Sequence, residues 1–235
     1  MCVPKSREDD TRDFGTHMAE LHGTLRDAVT GEPVLADLLD VEAIPLWDDA
    51  ERDLPAAELF AIHRTQRPYQ VAVFGEWPEP TSEFHEVGLP ARRYLLAARV
   101  PGYAPELAGP FELGATDVVA NLDLALERGG TLRGRVTDAA GRPVAEAFLY
   151  LAPDSDFGRR RLLELDHLLL DEGPRSLFEC ERAGADGRFT VEHLPTGQPY
   201  LLCALSRGHR PVVVGRVALS REGETLERDA VLEAR

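Results

Sequence analysis

Apolar and polar residues alternate along much of this chain, which predicts β-strands rather than helices. Leu132, Gly134 and Val136 fall on one face of their segment, and the two arginines between them fall on the other. Residues 122–126 alternate in the same way. This period of two is typical of a strand that packs one face on a core and leaves the other in solvent. Residues 200–205 are apolar on both faces, so we expect them to form a central strand.

Most of this pattern occurs twice. Residues 84–90 (FHEVGLP) are echoed by residues 189–195 (FTVEHLP), and residues 94–98 (YLLAA) by residues 200–204 (YLLCA). Both copies also open alike: a strand is followed by a turn with glycine, and then by a proline that begins the next strand. A duplication with a period of about one small domain predicts two tandem domains of the same fold.

The repeat predicts where these domains begin and end. Residues 1–19 are polar and charged, which predicts a flexible tail. Residues 20–128 then form a first β-sandwich domain and residues 129–235 a second. The linker at Gly129 and Gly130 is so short that we expect a nearly fixed orientation between the two domains.

Each copy also carries an insertion in which the period changes. The first insertion predicts a short helix with Leu59 on its apolar edge. The second, residues 154–176, places Leu162, Leu165 and Leu169 at helical spacing. This second insertion is more apolar than a solvated helix requires. It either covers its own sandwich or forms a contact surface, and the spacing does not decide between the two.

The residues that the copies share match a known family. In the second copy, residues 134–147 (GRVTDAAGRPVAEA), 185–191 (ADGRFTV) and 194–197 (LPTG), followed by Tyr200, resemble a carboxypeptidase regulatory-like domain. The resemblance implies an all-β chain of two tandem Greek-key, transthyretin-like (Cna-B-like) β-sandwiches, and the leucine spacing adds a short helical insertion to each. The first copy matches less closely, because its residues 81–84 (TSEF) stand where the family pattern has an Asp-Gly-x-Phe turn. The shared residues build turns and core, with the Tyr200 hydroxyl bonded to the backbone, so the resemblance implies a fold and not a function.

The charge balance narrows the possible partners. The chain has 26 basic and 41 acidic residues and a net charge of −15. Such a surface repels phosphate backbones and anionic membranes, so we expect no nucleic-acid or membrane partner. Lys5 is the only lysine, which we attribute to the codon bias of a GC-rich bacterial genome. Residues 1–20 hold no apolar stretch typical of a signal peptide. The expected location is cytoplasmic, or secreted or periplasmic if this N-terminus is not the native one.

Active relatives of this fold carry signatures that can be sought in the sequence. Intradiol dioxygenases resemble this fold and bind iron partly through an Arg-Pro-x-His-x-His stretch, whereas Arg210 and Pro211 are followed by three valines. The Tyr-Arg-Gly-Ser ending of hydroxyisourate hydrolases and the Gly-x-Ser-x-Gly elbow of serine hydrolases are also absent. No His-x-x-x-His spacing occurs, and the three cysteines, which we expect in the core or the tail, lack metal-binding spacing. We therefore expect no catalytic residue, no cofactor and no metal site.

These observations favour a non-catalytic module that binds or scaffolds a protein or peptide partner. It would do so by strand addition at a sandwich edge or by docking on the helical insertions. Two alternatives remain open: an enzyme, such as a hydrolase, with a site at the domain junction, and a carbohydrate-binding module that stacks sugars on exposed tryptophans. The candidate partner contacts are Trp47, Leu59, Trp77, Leu162, Leu165 and Leu169.

Overall fold

The computed structural model describes residues 18–35, 40–46, 54, 58–59, 81–156, 158–159 and 179–235. Almost all of these residues lie in strands or in the turns between them, so the prediction of an all-β chain is confirmed. The strands are β1 (Ala19–Asp27), β2 (Asp40–Pro45), β3 (Glu83–Leu89), β4 (Arg92–Arg99), β5 (Glu106–Leu113), β6 (Val118–Leu126), β7 (Gly130–Asp138), β8 (Phe148–Pro153), β9 (Glu179–Arg182), β10 (Arg188–Leu194), β11 (Pro199–Leu205), β12 (Val212–Ala218), β13 (Thr225–Glu227) and β14 (Ala230–Leu232).

The first copy of the repeat folds into two sheets that share one core. One sheet has the strand order β3-β1-β6 and the other the order β2-β4-β5. Alternation along β1 points Leu21 and Leu25 inward, where both are fully buried, and points Glu20 and His22 outward. Leu96 of β4 joins these leucines in a single apolar cluster. The first copy is therefore a two-sheet β-sandwich.

The second copy repeats this arrangement. One sheet has the order β10-β7-β13, with β14 also paired to β7, and the other has the order β12-β11-β8-β9. Leu132 and Val136 of β7 are buried while Arg133 and Arg135 are exposed, as the alternation predicts. β11 lies between β12 and β8 and is buried along nearly its whole length, which confirms the expected central strand. The core cluster of the second copy is separate from that of the first copy.

The strand register of the two copies agrees residue for residue. Phe84 of β3 pairs with Gly23 of β1, and Phe189 of β10 pairs with Gly134 of β7. A Cβ atom on either glycine would lie 1.8 Å from a backbone carbonyl oxygen of the neighbouring chain segment. In both copies this close approach lies where the last strand runs parallel beside the first. The shared glycine is therefore required by the packing of the last strand against the first.

Two buried tyrosines fix equivalent corners of the two sandwiches. The Tyr94 hydroxyl donates to the carbonyl oxygen of Pro90 at 2.9 Å, and the Tyr200 hydroxyl donates to that of Pro195 at 3.3 Å. The backbone partner expected for Tyr200 is thus confirmed, and the first copy has the same bond.

Several predicted segments fall outside the described residues. These are the tail up to residue 17 and most of both insertions. Residues 58–59 in the first insertion and 158–159 in the second are helical. The remainder of the predicted insertion helices stays a prediction.

Candidate functional site

Leu59 is the one predicted partner contact that the described residues include. It is fully buried. Its side chain therefore packs inside the fold, contrary to the predicted role as a contact with a partner. Trp47, Trp77 and the three leucines of the second insertion lie outside the described residues. Docking on that insertion and sugar stacking on the tryptophans therefore stay predictions.

β12 is one edge of the four-stranded sheet in the second copy, and β9 is the other. β12 pairs antiparallel with β11 and with no other described strand. Val212 and Val214 pack against the core, whereas Val213 between them points outward and is 56% exposed. β12 therefore presents an edge to which no further described strand is paired, next to an exposed apolar side chain. Residues 208–210, just before it, are bonded to residues 233–235 of the C-terminal segment.

The segment just before β12 carries exposed basic side chains, although the chain is acidic overall. Arg207 and Arg210 precede the strand, are exposed, and form no ion pair with any other described residue. Arg216, within the strand, is already engaged, because its Nε lies 3.1 Å from Oδ2 of Asp154. Two guanidinium groups at one end of β12 are thus available to an anionic group.

The equivalent edge of the first copy is blocked. β5 lies beside β4 as β12 lies beside β11. Pro110 lies in the middle of β5 and has no N–H to donate to a further strand. Proline on an edge strand is a common protection against strand addition. β12 contains no proline and keeps all of its backbone N–H groups, although a register shift between Val213 and Gly215 interrupts its pairing with β11. Proline therefore hinders strand addition in the first copy and not in the second.

The linker between the copies is held from both sides. Arg128 lies over the Tyr103 ring, with its Cζ 5.0 Å from the ring centroid, and its Nη2 lies 3.2 Å from Oδ2 of Asp27. From the second copy, the Glu222 carboxylate accepts the Arg128 backbone N–H at 2.6 Å, and Nδ1 of His193 lies 3.1 Å from the Arg128 carbonyl oxygen. His193, Glu222 and Asp27 are therefore engaged in holding the linker.

Asp27 is the carboxylate that anchors this junction in the first copy. Its Oδ1 accepts the backbone N–H groups of Thr30 and Val29, each at 3.0 Å. These two bonds, helped by Tyr103 and Arg128 and opposed by burial, lower the pKa of Asp27 to about 2. Asp27 is therefore an ionised partner for Arg128 at neutral pH.

Cys203 lies in the core of the second copy, as expected for a cysteine without metal-binding spacing. It is buried in β11, and burial raises the pKa of its thiol to about 12. Because the thiolate is the nucleophilic form of cysteine, this side chain is inert at neutral pH.

A cluster of possible metal ligands lies on the outer face of β1 and β3. Glu20, His22 and His85 bring three possible ligand atoms within 4.8 Å of one another. Sequence spacing does not reveal the full set, because the ligands come from two strands that are far apart in sequence. The signal that was available is the Glu-x-His spacing of residues 20–22, which puts both side chains on one face of a strand.

The described residues give no sign of a membrane crossing by helices. None of their helical stretches combines the length and the apolar character that such a crossing requires.

Comparisons with known proteins leave the family open. No protein-family model and no curated protein matches the sequence. Among solved structures, a streptococcal ancillary pilin is 14% identical over 94% of this chain and 63% of its own, with a TM-score of 0.32. The shaft pilin spaA from Lactobacillus rhamnosus GG is 11% identical over 94% of this chain and 98% of its own, with a TM-score of 0.33. Hydroxyquinol 1,2-dioxygenase from Pseudomonas putida DLL-E4 is 15% identical over 45% of this chain and 56% of its own, with a TM-score of 0.30. Likeness at this level does not bear on what the chain binds or catalyses.

Proposed function

We propose that this protein is a non-catalytic binding module, built from two carboxypeptidase regulatory-like sandwiches, that takes up an extended segment of a protein partner along β12. The observation that carries the proposal is the free edge of β12 beside the exposed Val213. Strand addition at such an edge derives affinity from backbone hydrogen bonds and specificity from alternate side chains of the added strand.

The length and sequence of β12 suit strand addition. Val212–Ala218 is a seven-residue strand, close to the common length of strands in globular proteins, about five or six residues. Its inward valines anchor it to the core, so the edge is held in place before a partner arrives. A pre-formed edge costs less ordering entropy on binding than a segment that must fold first.

The residues around β12 define the chemistry of the partner segment. Val213 favours an apolar side chain on the same face of the added strand. Arg207 and Arg210 favour an acidic residue at the end of the added strand that lies near the start of β12. The proposed partner is therefore an extended protein segment that combines alternating apolar residues with a terminal aspartate or glutamate.

The test is a selection of random displayed peptides, long enough to pair along all of β12, on the whole chain. We expect the enriched peptides to share the apolar and acidic pattern. Their affinity should fall at least about tenfold for Val213→Lys, because a lysine on the edge opposes strand addition. Val29→Lys is the matched control, since Val29 is exposed like Val213 but lies in a turn of the first copy. Peptides that bind the two variants equally well would place the binding surface elsewhere.

A further inference from the structure

We propose that Glu20, His22 and His85 form a binding site for a divalent transition-metal ion of the zinc class. The site lies on the outer face of the first sandwich and is independent of the β12 edge. Four observations support such a site: the strand register, the distances between ligand atoms, a buried nitrogen without a hydrogen bond, and a comparison with the second copy.

Strand register brings the three side chains together. His22 of β1 lies directly opposite His85 of β3 in the antiparallel pair, so both imidazoles project from the same face of the sheet. Glu20 is two residues before His22 and points to that face as well. The two rings stack with their centroids 4.4 Å apart. The backbone therefore holds the three ligand groups side by side.

The separations of the ligand atoms suit a metal ion. Oε2 of Glu20 lies 3.0 Å from Nε2 of His85 and 3.7 Å from Nε2 of His22. Around a tetrahedral zinc ion with bonds of about 2.0–2.1 Å, neighbouring ligand atoms are about 3.4 Å apart. The two separations lie on either side of this value, so the Glu20 oxygen is at ligand distance from both imidazoles. Because the rings are stacked at an interplanar angle of 26°, binding of one ion by both nitrogens requires a rotation of the rings about their Cβ–Cγ bonds.

The nitrogen of His22 that faces this cluster is left without a hydrogen bond. Nε2 of His22 is buried and makes no hydrogen bond within the described part of the chain. Its 3.7 Å separation from Glu20 is too long for one. A buried polar atom without a partner costs free energy, and a metal ion at the centre of the cluster would supply the missing partner.

The ligand set selects the class of metal. Two imidazoles and one carboxylate suit zinc, copper, nickel or iron(II), whereas calcium and magnesium prefer oxygen ligands throughout. The side chains of Glu20 and His85 are 38% and 53% exposed, so an ion held by three protein ligands keeps a position open to solvent. Water or a group from another molecule could fill that position.

The second copy supplies a comparison within the same chain. Arg133 of β7 and Thr190 of β10 are paired in the same register as His22 and His85, and Thr131 takes the place of Glu20. None of these three replacements is a ligand for zinc. The shared fold therefore needs no metal ligands at these positions, and their presence in the first copy calls for another explanation.

The test is a calorimetric titration of the whole chain with zinc chloride. We expect one strongly bound ion per chain and no comparable binding of calcium chloride. Glu20→Gln, His22→Ala and His85→Gln should each weaken zinc binding more than about tenfold, since even second-shell changes cost about 10–100-fold. Arg133→Ala with Thr190→Ala, in the second copy, should leave it unchanged.

Two further measurements distinguish a variant that has lost only the metal site from one that no longer folds. Circular dichroism should be the same for Glu20→Gln as for the original chain, because Glu20 is partly exposed and its replacement has the same shape. Cobalt(II), used in place of zinc, should give visible absorption bands that the ligand variants lose. Absence of zinc binding by the original chain, or binding that survives all three replacements, would overturn the proposal and leave Glu20 and His85 as a hydrogen-bonded pair.

The same three ligands can also be introduced by substitution at the equivalent positions of the second copy. Thr131→Glu with Arg133→His and Thr190→His places the same ligands at equivalent register. We expect the number of bound zinc ions to rise from one to two per chain. A folded triple variant that still binds one ion would show that strand register alone does not make the site.

Discussion

Gly129 lies directly against the carbonyl group of Leu194: a Cβ atom on Gly129 would come within 2.5 Å of that oxygen. The same atom would lie 3.0 Å from Cβ of Ala104 in the first copy. The φ angle of Gly129 is 68°, in the left-handed region that glycine adopts readily. The linker thus packs between one residue from each copy, which agrees with the close joining expected from its length.

Replacing Gly129 tests this packing. Gly129→Ala should destabilise the protein by more than Gly141→Ala, although both glycines have positive φ, 68° and 76°. Gly141 has open space where its Cβ would lie, so its replacement costs only the backbone strain of about 1–2 kcal/mol. The alanine at Gly129 adds a clash with backbone atoms, worth a further 1–3 kcal/mol or so. Urea denaturation of the two variants measures the difference, and equal losses would contradict a packed linker.

The low pKa of Asp27 makes part of the stability depend on pH. The pKa is lowered to about 2, chiefly by the Thr30 and Val29 N–H groups, so the ionised form stabilises the fold. This contribution is complete above the ordinary aspartate pKa, near 3.9, and is lost as the pH falls towards 2. Asp27→Asn should therefore be less stable than the original chain at pH 7, and the difference should shrink between about pH 4 and pH 2.

Asp138, the equivalent of Asp27 in the second copy, offers a second test of the same effect. The pKa of Asp138 is also lowered, chiefly by its hydrogen bonds with Arg142. Urea midpoints measured against pH for Asp27→Asn and Asp138→Asn should both show the acid-dependent difference. A midpoint difference for Asp27→Asn that stays constant down to pH 2 would contradict the account.

The corner tyrosines should each contribute one hydrogen bond. Tyr94→Phe removes the 2.9 Å bond to Pro90 and leaves the ring in the core. The expected loss of stability is about 0.5–1.5 kcal/mol. A loss above about 3 kcal/mol would show that the phenylalanine ring cannot pack in the same place, which the buried position of Tyr94 argues against.

The strands and the repeat could be predicted because their causes are local. Alternation at Leu132, Gly134 and Val136 depends on neighbours in sequence, and turn glycines with following prolines mark where strands end. The parallel pairing of the first and last strands could not be read in this way. It depends on how the chain crosses between sheets, and its trace in the sequence is the glycine that lies between Leu132 and Val136 on the inward face, Gly134.

The sites could be predicted much less well. The grouping of Glu20 and His22 on one strand with His85 on another becomes visible only when the strands are paired. The β12 edge was expected in general terms, as strand addition at some edge of a sandwich. The difference between the equivalent edges β12 and β5 depends on strand order and on Pro110, and it appears only when these two strands are recognised as equivalent.

The most direct test of the central claim is amide hydrogen exchange of the whole chain, with and without a saturating peptide from the selection. We expect slower exchange of those amides in Val212–Ala218 that point away from β11, because an added strand would accept their hydrogen bonds. Exchange in β5 should be unchanged, since Pro110 hinders pairing there. Protection confined to other strands, with β12 exchanging as fast as in the free chain, would contradict strand addition at β12.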